Sequence, residues 1–251
     1  MYKTVEHTLF LGKNVVFVPE CPSTNDLAAT LLPLASTVEG TIVITNHQTA
    51  GRGQRGNTWQ TLPGQNLTFS LILKPTFLPV KDQFYLTVVT ALGLHDFLKA
   101  KMLDVIQIKW PNDLLVNEKK ICGILIENQV QNNVLASSIV GIGLNIMQEI
   151  FALSNATSLK LETGKNYSLS DEFQSLLSFL EARYLLLRQG KRNELLHDYL
   201  QVLYRINNRH SFKSKEIEFE GIIVGVDDIG RLQVSTTNGL RTFDLKEIQY
   251  L

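Results

Sequence analysis

The sequence predicts an α/β chain ending in a small all-β appendage, and three observations carry that expectation. Short apolar, β-branched runs alternate with amphipathic helical patterns through residues 1–206. From about Asn207 only short alternating runs and turn signals follow, so the chain divides into a main domain at 1–206 and a small β domain at 207–251. At 251 residues, 44% hydrophobic and 19% charged, the chain also has ordinary globular composition and ample material for a core.

Val15-Val16-Phe17-Val18 opens the series as a short strand ending at Pro19-Glu20, and Leu27 to Leu34 follows with helical spacing. Ser23, Thr24 and Asn25 between them are residues of the N-cap type, and free donors at a helix start also suit polar ligand atoms. Thr41 to Thr45 and Leu67 to Leu73 read as buried strands, and Asp82 to Lys101 as a helix. Val105 to Trp110 runs as a strand into the turn Pro111-Asn112-Asp113. Leu114 to Val116 restarts a strand, Asn117-Glu118 turns again, and Lys119 to Glu127 forms a third strand. Alternation along it places Lys120 and Cys122 on one face, and Lys119, Ile121 and Gly123 on the other. Ser137 to Ile146 is a buried strand, Phe151 to Asn166 an irregular connection, and Asp171 to Gln189 and Asn193 to Ile206 are amphipathic helices. In the tail, runs at 212–215, 217–226, 232–234 and 242–245 are strands, with Asn238-Gly239 a hairpin signal.

Several classes are disfavoured. The formal net charge is zero, so no global field draws in nucleic acid or an acidic membrane. The start, MYKTVEHTLFLGKN, lacks the pattern of a signal peptide, and no apolar run reaches the ~18 residues of a membrane span. Two cysteines, Cys21 and Cys122, make neither a disulfide framework nor a zinc spacing. A cytoplasmic protein is expected.

Three stretches carry chemistry. Gly51-Arg52-Gly53-Gln54-Arg55-Gly56 matches G-x-G-x-x-G after a strand. A dinucleotide fold needs a helix to open at those glycines, whereas here Pro63-Gly64 and another strand follow, so that reading is rejected. What remains is a glycine loop with two arginines, closed by Trp59: a solvated basic loop, or a flap whose guanidinium forks meet phosphate or carboxylate. Lys109 to Glu127 gathers a cation, a carboxylate and an amide on tight turns, with Gly123 inside an apolar strand. It is either a solvated hairpin or a seat for an anion. Gly141 and Gly143 interrupt a third apolar run, where the missing side chains serve a ligand's approach or tight sheet packing.

GRGQRGNTW, KWPNDLLVNEKKICGILIE and GIGLNI occur in this order, with Ser23-Thr24-Asn25 upstream. Together they resemble biotin–protein ligase, also called biotin–[acetyl-CoA-carboxylase] ligase, over roughly residues 15–146. The resemblance implies a mixed sheet with helices on one side, then an SH3-like β barrel that the tail matches in texture. It also implies two steps. Biotin and Mg·ATP give biotinyl-5′-adenylate and pyrophosphate; a lysine of a biotin carboxyl carrier domain then attacks the mixed anhydride and releases AMP. By the same resemblance Ser23, Thr24 and Gln48 would read the ureido group, with Asn25, Gly51, Gly123, Leu125, Gly141 and Gly143 along the rest of biotin. Lys120 would lie between biotin's carboxylate and the α-phosphorus, offsetting repulsion between two anions, while Arg52 and Arg55 would close on both. Gly53, Gln54, Trp59, Lys109, Asn112 and Asn145 would serve the nucleotide, and Asp113 would orient Mg2+ or the incoming lysine.

Two departures bear on these expectations. Gln54 stands where many relatives carry arginine, which predicts weaker retention of the adenylate. About 20 residues precede Ser23, too few for the winged helix-turn-helix of bifunctional members, so a monofunctional ligase without DNA binding is expected. Monomer and homodimer both stay open. The rivals are a lipoate or octanoate ligase of the same fold, with Cys122 as acyl-carrying thiol, and a non-catalytic biotin or adenylate sensor.

Overall fold

The computed structural model describes residues 2 and 4–251; of these, the Arg55 side chain is left undescribed. The main sheet comprises β1 (Val15–Cys21), β2 (Ile42–Gln48), β3 (Asn66–Leu73), β4 (Ile106–Lys109), β5 (Asp113–Val116), β6 (Lys119–Gln131) and β7 (Val134–Asn145). Their order is β1-β2-β3-β7-β6-β5-β4, with β1 parallel to β2 and the other pairs antiparallel. β1 continues past the expected Val18 because it is an edge strand, where Pro19 has no ladder bond to donate. β6 and β7 outrun their expected limits because Asn132 and Asn133, with φ of 49° and 61°, turn them into one long hairpin.

The helices are α1 (Thr24–Leu31), α2 (Phe84–Ala100), α3 (Leu159–Thr163), α4 (Leu169–Arg188) and α5 (Arg192–Gln201). Ser23 caps α1 through the Asp26 N–H, and Pro33 stands just beyond its end, so this helix starts and stops earlier than its apolar spacing suggested. α3 is a short turn of helix inside the stretch expected to be irregular, capped by Ser158 and by left-handed Gly164.

Period-two alternation gives the sheet two different faces. Ile42, Ile44, Phe69, Leu71, Val140 and Ile142 join the large core with α2 and α4. Val43, Ile72 and Ile139 point the other way and meet Ala28 of α1. Helices therefore cover both faces, not one as expected. α1 is short and leaves much of its face uncovered; that open area becomes the floor of a cavity.

The tail forms β8 (Arg209–Ser214), β9 (Ile217–Val226), β10 (Leu232–Thr236), β11 (Gly239–Phe243) and β12 (Gln249–Tyr250), antiparallel in the order β11-β10-β9-β8-β12. It is tied to the main sheet from the edge inward. Ile108 N–H donates to Val202 O, and Tyr204 N–H to Ile108 O, both at 2.8 Å, so residues 202–204 run along β4. Trp110 Nε1 donates to Gly230 O at 2.8 Å. Phe212, Ile223, Leu232 and Val234 share the large core, as a piece too small to hold a core of its own requires.

Candidate active site

A cavity of about 740 Å³ lies between the α1 face of the main sheet, the glycine loop and the end of the tail. Ser23, Thr24, Asn25, Gln48, Arg52, Gly53, Gln54, Trp59, Lys109, Asn112, Asp113, Lys120, Gly123, Leu125, Gly141 and Gly143 all line it. Most of the residues singled out from sequence are thus brought together. Three are not among the described lining. Gly51 is buried behind the loop, its carbonyl accepting from Trp59 N–H at 2.9 Å. Asn145 is buried and donates to Thr157 O at 2.9 Å. The Arg55 side chain lies outside the described residues.

One end of the cavity is neutral and hydrogen-bonded. Gln48 Oε1 accepts from the Thr24 N–H at 2.8 Å and from the Thr24 hydroxyl at 3.0 Å. That leaves the Gln48 amide nitrogen free to face other groups. The Ser70 hydroxyl donates to Asn25 Oδ1 at 2.6 Å and lies 2.8 Å from Thr24 Oγ1. Thr24, Asn25 and Ser70 are buried, so their pairing fixes orientation: an unpaired buried polar group costs about 1–3 kcal/mol.

The glycines on the floor make room for protein side chains. A Cβ on Gly141 would sit 2.4 Å from Asn25 Oδ1. One on Gly143 would sit 2.2 Å from Trp59 Cε2, and one on Gly123 3.1 Å from Trp59 Cζ3. Of the two uses open to these glycines, tight packing is realised here. Trp59 lies on the sheet, its Nε1 buried without a hydrogen-bond partner among the described residues.

Lys120 reaches this floor through an irregularity that alternation could not foresee. Leu114 pairs with Cys122 but Leu115 pairs with Lys120, so β6 carries an extra residue at Ile121. The bulge turns Lys120 onto the face of Gly123, where its Nζ lies 3.4 Å from the Cβ position. Cys122 is left on the opposite face, wholly buried in the main core. The expected Lys120–Cys122 face is therefore corrected to Lys120–Gly123, and burial pushes the Cys122 thiol well above its ordinary range. Lys120 Nζ stands 2.7 Å from Asp113 Oδ1 and 5.5 Å from the Trp59 ring. Its backbone is clamped by Asn155 O, which accepts from Lys120 N–H at 2.7 Å, and by Thr157 N–H, which donates to Lys120 O at 2.9 Å.

The other cations are held differently. The Arg52 guanidinium donates to both oxygens of Glu127, at 3.0 and 2.9 Å, and to Asp26 Oδ1 at 2.7 Å. The Glu127 hydrogen bond, against a cost of burial, raises its pKa further. Lys109 Nζ lies 4.9 Å from the centre of the Tyr250 ring. Burial lowers the Lys109 pKa; Asp113 opposes this, while Arg205 and Lys120 add to it. Asn112 is bound into the sheet, donating to Ile124 O at 2.8 Å.

Sequence reading missed Thr68, Ser70, and the wall formed by Leu245, Lys246, Ile248, Gln249 and Tyr250. Thr68 and Ser70 had a signal: they are polar, two apart, in the apolar run Leu67 to Leu73. The tail wall had none, since it arrives by tertiary docking.

A cavity with amides and hydroxyls at one end, a lysine–carboxylate pair on its floor and a further cation beside an aromatic ring defines a site for a small molecule bearing an anionic group. The model of the biotin/lipoate A/B protein ligase family matches residues 17–145, and the chain belongs to that family. It is 32% identical over 202 residues to the biotin–[acetyl-CoA-carboxylase] ligase of Mycobacterium tuberculosis, covering 78% of this chain and 73% of that protein. It is 29% identical over 254 residues to the bifunctional ligase/repressor BirA of Bacillus spizizenii, covering 96% and 75%. Among solved structures, the biotin protein ligase from Aquifex aeolicus in complex with biotin and ATP has the same fold, with a TM-score of 0.79 at 23% identity over 95% of this chain and 100% of that one. Among the described residues no helix is long and apolar enough to cross a membrane, and no three His, Cys, Asp or Glu side chains converge to hold a metal ion.

Proposed function

We propose that this chain activates biotin with ATP as biotinyl-5′-adenylate and transfers it to a lysine of a biotin carboxyl carrier domain. Lys120 carries the reading: a bulge turns its ammonium onto a glycine floor beside Asp113, between the neutral amide end and the tail wall. In the first step a carboxylate oxygen of biotin attacks the α-phosphorus and pyrophosphate leaves. Two anions must approach, and the Lys120 cation lowers that barrier. In the second step the carrier lysine's amine attacks the acyl carbon and AMP leaves.

The neutral end around Thr24, Gln48 and Asn25 suits the ureido group, whose donors and acceptor need buried partners. Lys109 and the tail wall face the nucleotide. Asp113 is the one carboxylate among the described lining residues. A single carboxylate suits Mg2+ that enters on ATP, since this ion is held largely by phosphates and water. The lipoate reading loses its thiol, because Cys122 is sealed in the core.

The test is ATP–pyrophosphate exchange with biotin, lipoate or octanoate supplied in turn. Exchange dependent on biotin alone is expected. Exchange with lipoate or octanoate would move the assignment to another acyl substrate, and biotin binding without exchange would make the protein a sensor.

A further inference from the structure

We infer that Glu127 and Asp26 are positioning residues that strap the glycine loop over the cavity through Arg52. The rate at which an activated intermediate escapes is then set by this chain's own carboxylates. The functional half of this inference rests on the adenylate reading above; the structural half does not.

Arg52 Nη1 and Nη2 donate to Glu127 Oε1 and Oε2, at 3.0 and 2.9 Å, and Nη2 donates again to Asp26 Oδ1 at 2.7 Å, so three of the five guanidinium N–H groups serve these two carboxylates. Glu127 Oε2 also accepts from Asn25 Nδ2 at 2.7 Å. One guanidinium therefore ties together the loop, the first turn of α1 and strand β6. Glu127 lies two residues beyond Leu125, outside the cavity lining, so neither carboxylate needs to touch a ligand.

The rest of the loop is held largely by its own backbone among the described residues. Gly53 N–H donates to Asn57 O at 2.7 Å, and Arg52 bridges to Thr58, which closes the loop on itself. From Gly53 to Thr58, no described side chain makes a hydrogen bond or ion pair beyond the loop. Trp59 anchors the inner end, against Gly143, and Arg52 the outer end. Isolated surface ion pairs contribute little, but a planar fork shared by two carboxylates is the geometry in which they count.

Two readouts test this on the full-length protein: tryptic cleavage after Arg52 and Arg55 without ligand, and release of biotinyl-adenylate from enzyme loaded with biotin and ATP. The substitution E127Q keeps the shape and removes the charge, and is expected to speed both by about tenfold. E127D should recover part of the effect, and D26N should give a smaller increase. Combining R52A with E127Q should be no worse than R52A alone, since both remove the same contact. Wild-type rates in E127Q, additive effects in the double variant, or loosened cleavage across the whole chain would each overturn the strap. So would slower release in E127Q, which would mean that Arg52, once freed, serves the ligand. If the wild type makes no adenylate, the functional reading fails while the cleavage readout still decides the strap.

Discussion

Arg52 and Lys120 line one cavity and are held in opposite ways. Arg52 stands at the rim with its fork spent on two carboxylates. Lys120 stands on the floor beside the single carboxylate of Asp113. A cation aligned by two protein carboxylates at the rim shapes the site; a cation paired with one carboxylate on the floor can act on what enters. Residue type alone does not separate these roles, and the partners do.

The comparison breaks most easily at Lys120. The substitution K120A is expected to cut biotin-dependent exchange by about a hundredfold to a thousandfold, the usual range for removing one preorganised donor. The fold should survive, because the bonds from Asn155 and Thr157 to this residue are made by backbone. Circular dichroism and melting check the fold. Near-normal exchange in a folded variant would show that the anion is neutralised elsewhere and that floor and rim do not differ as argued.

Two of the floor glycines sharpen it next. At Gly141 the added methyl of alanine meets the buried amide of Asn25, which is fixed by Ser70 and Glu127 and has nowhere to go. The substitution G141A should therefore lower stability by about 2–3 kcal/mol, from overpacking plus a broken hydrogen-bond chain. At Gly143 the methyl meets Trp59, which belongs to the loop, so the indole can yield. G143A is expected to melt near the wild type but to raise the KM for biotin. Equal melting of the two variants would remove the distinction between a fixed neighbour and a movable one.

What could be read in advance follows the range of the interactions. The strands and helices were legible because capping residues, periodicity and turn chemistry act over a few residues, whereas the cluster of Ser23, Gln48, Lys109 and Lys120 was expected from the resemblance to biotin–protein ligase. The pairing of Arg52 with Glu127 spans 75 residues, and the tail wall comes from the far end of the chain. No local pattern announces either. The face of Lys120 was misread for a subtler reason: a bulge inserts one residue, and with period two a single insertion exchanges the faces. Thr68 and Ser70 were readable and overlooked, polar residues inside an apolar strand.

Tyr250, beside the third cation, gives a smaller effect. Its hydroxyl is buried with no hydrogen-bond partner among the described residues, so Y250F should be neutral or stabilising, by less than about 1 kcal/mol, in chemical denaturation. A clear destabilisation would mean that the hydroxyl is bonded in solution.

Lys109 completes the comparison as a cation held by an aromatic face. Burial lowers its pKa from 10.5, with Asp113 opposing and Arg205 and Lys120 adding to the fall. Between that lowered value and 10.5 the unfolded chain holds this proton and the folded chain has released it, so unfolding becomes harder as pH rises. The charged form is the one that burial penalises. The wild type should therefore gain stability relative to K109M as pH climbs toward 10.5, and the advantage should level off above it. Tyrosines with raised pKa values, such as Tyr250, weaken the fold in alkali in both proteins; taking the difference isolates Lys109. A flat difference between neutral pH and 10.5 would show that the Tyr250 ring and Asp113 repay the full cost of burial. Lys109 would then resemble Arg52, a cation settled by its neighbours rather than one left poised for a ligand.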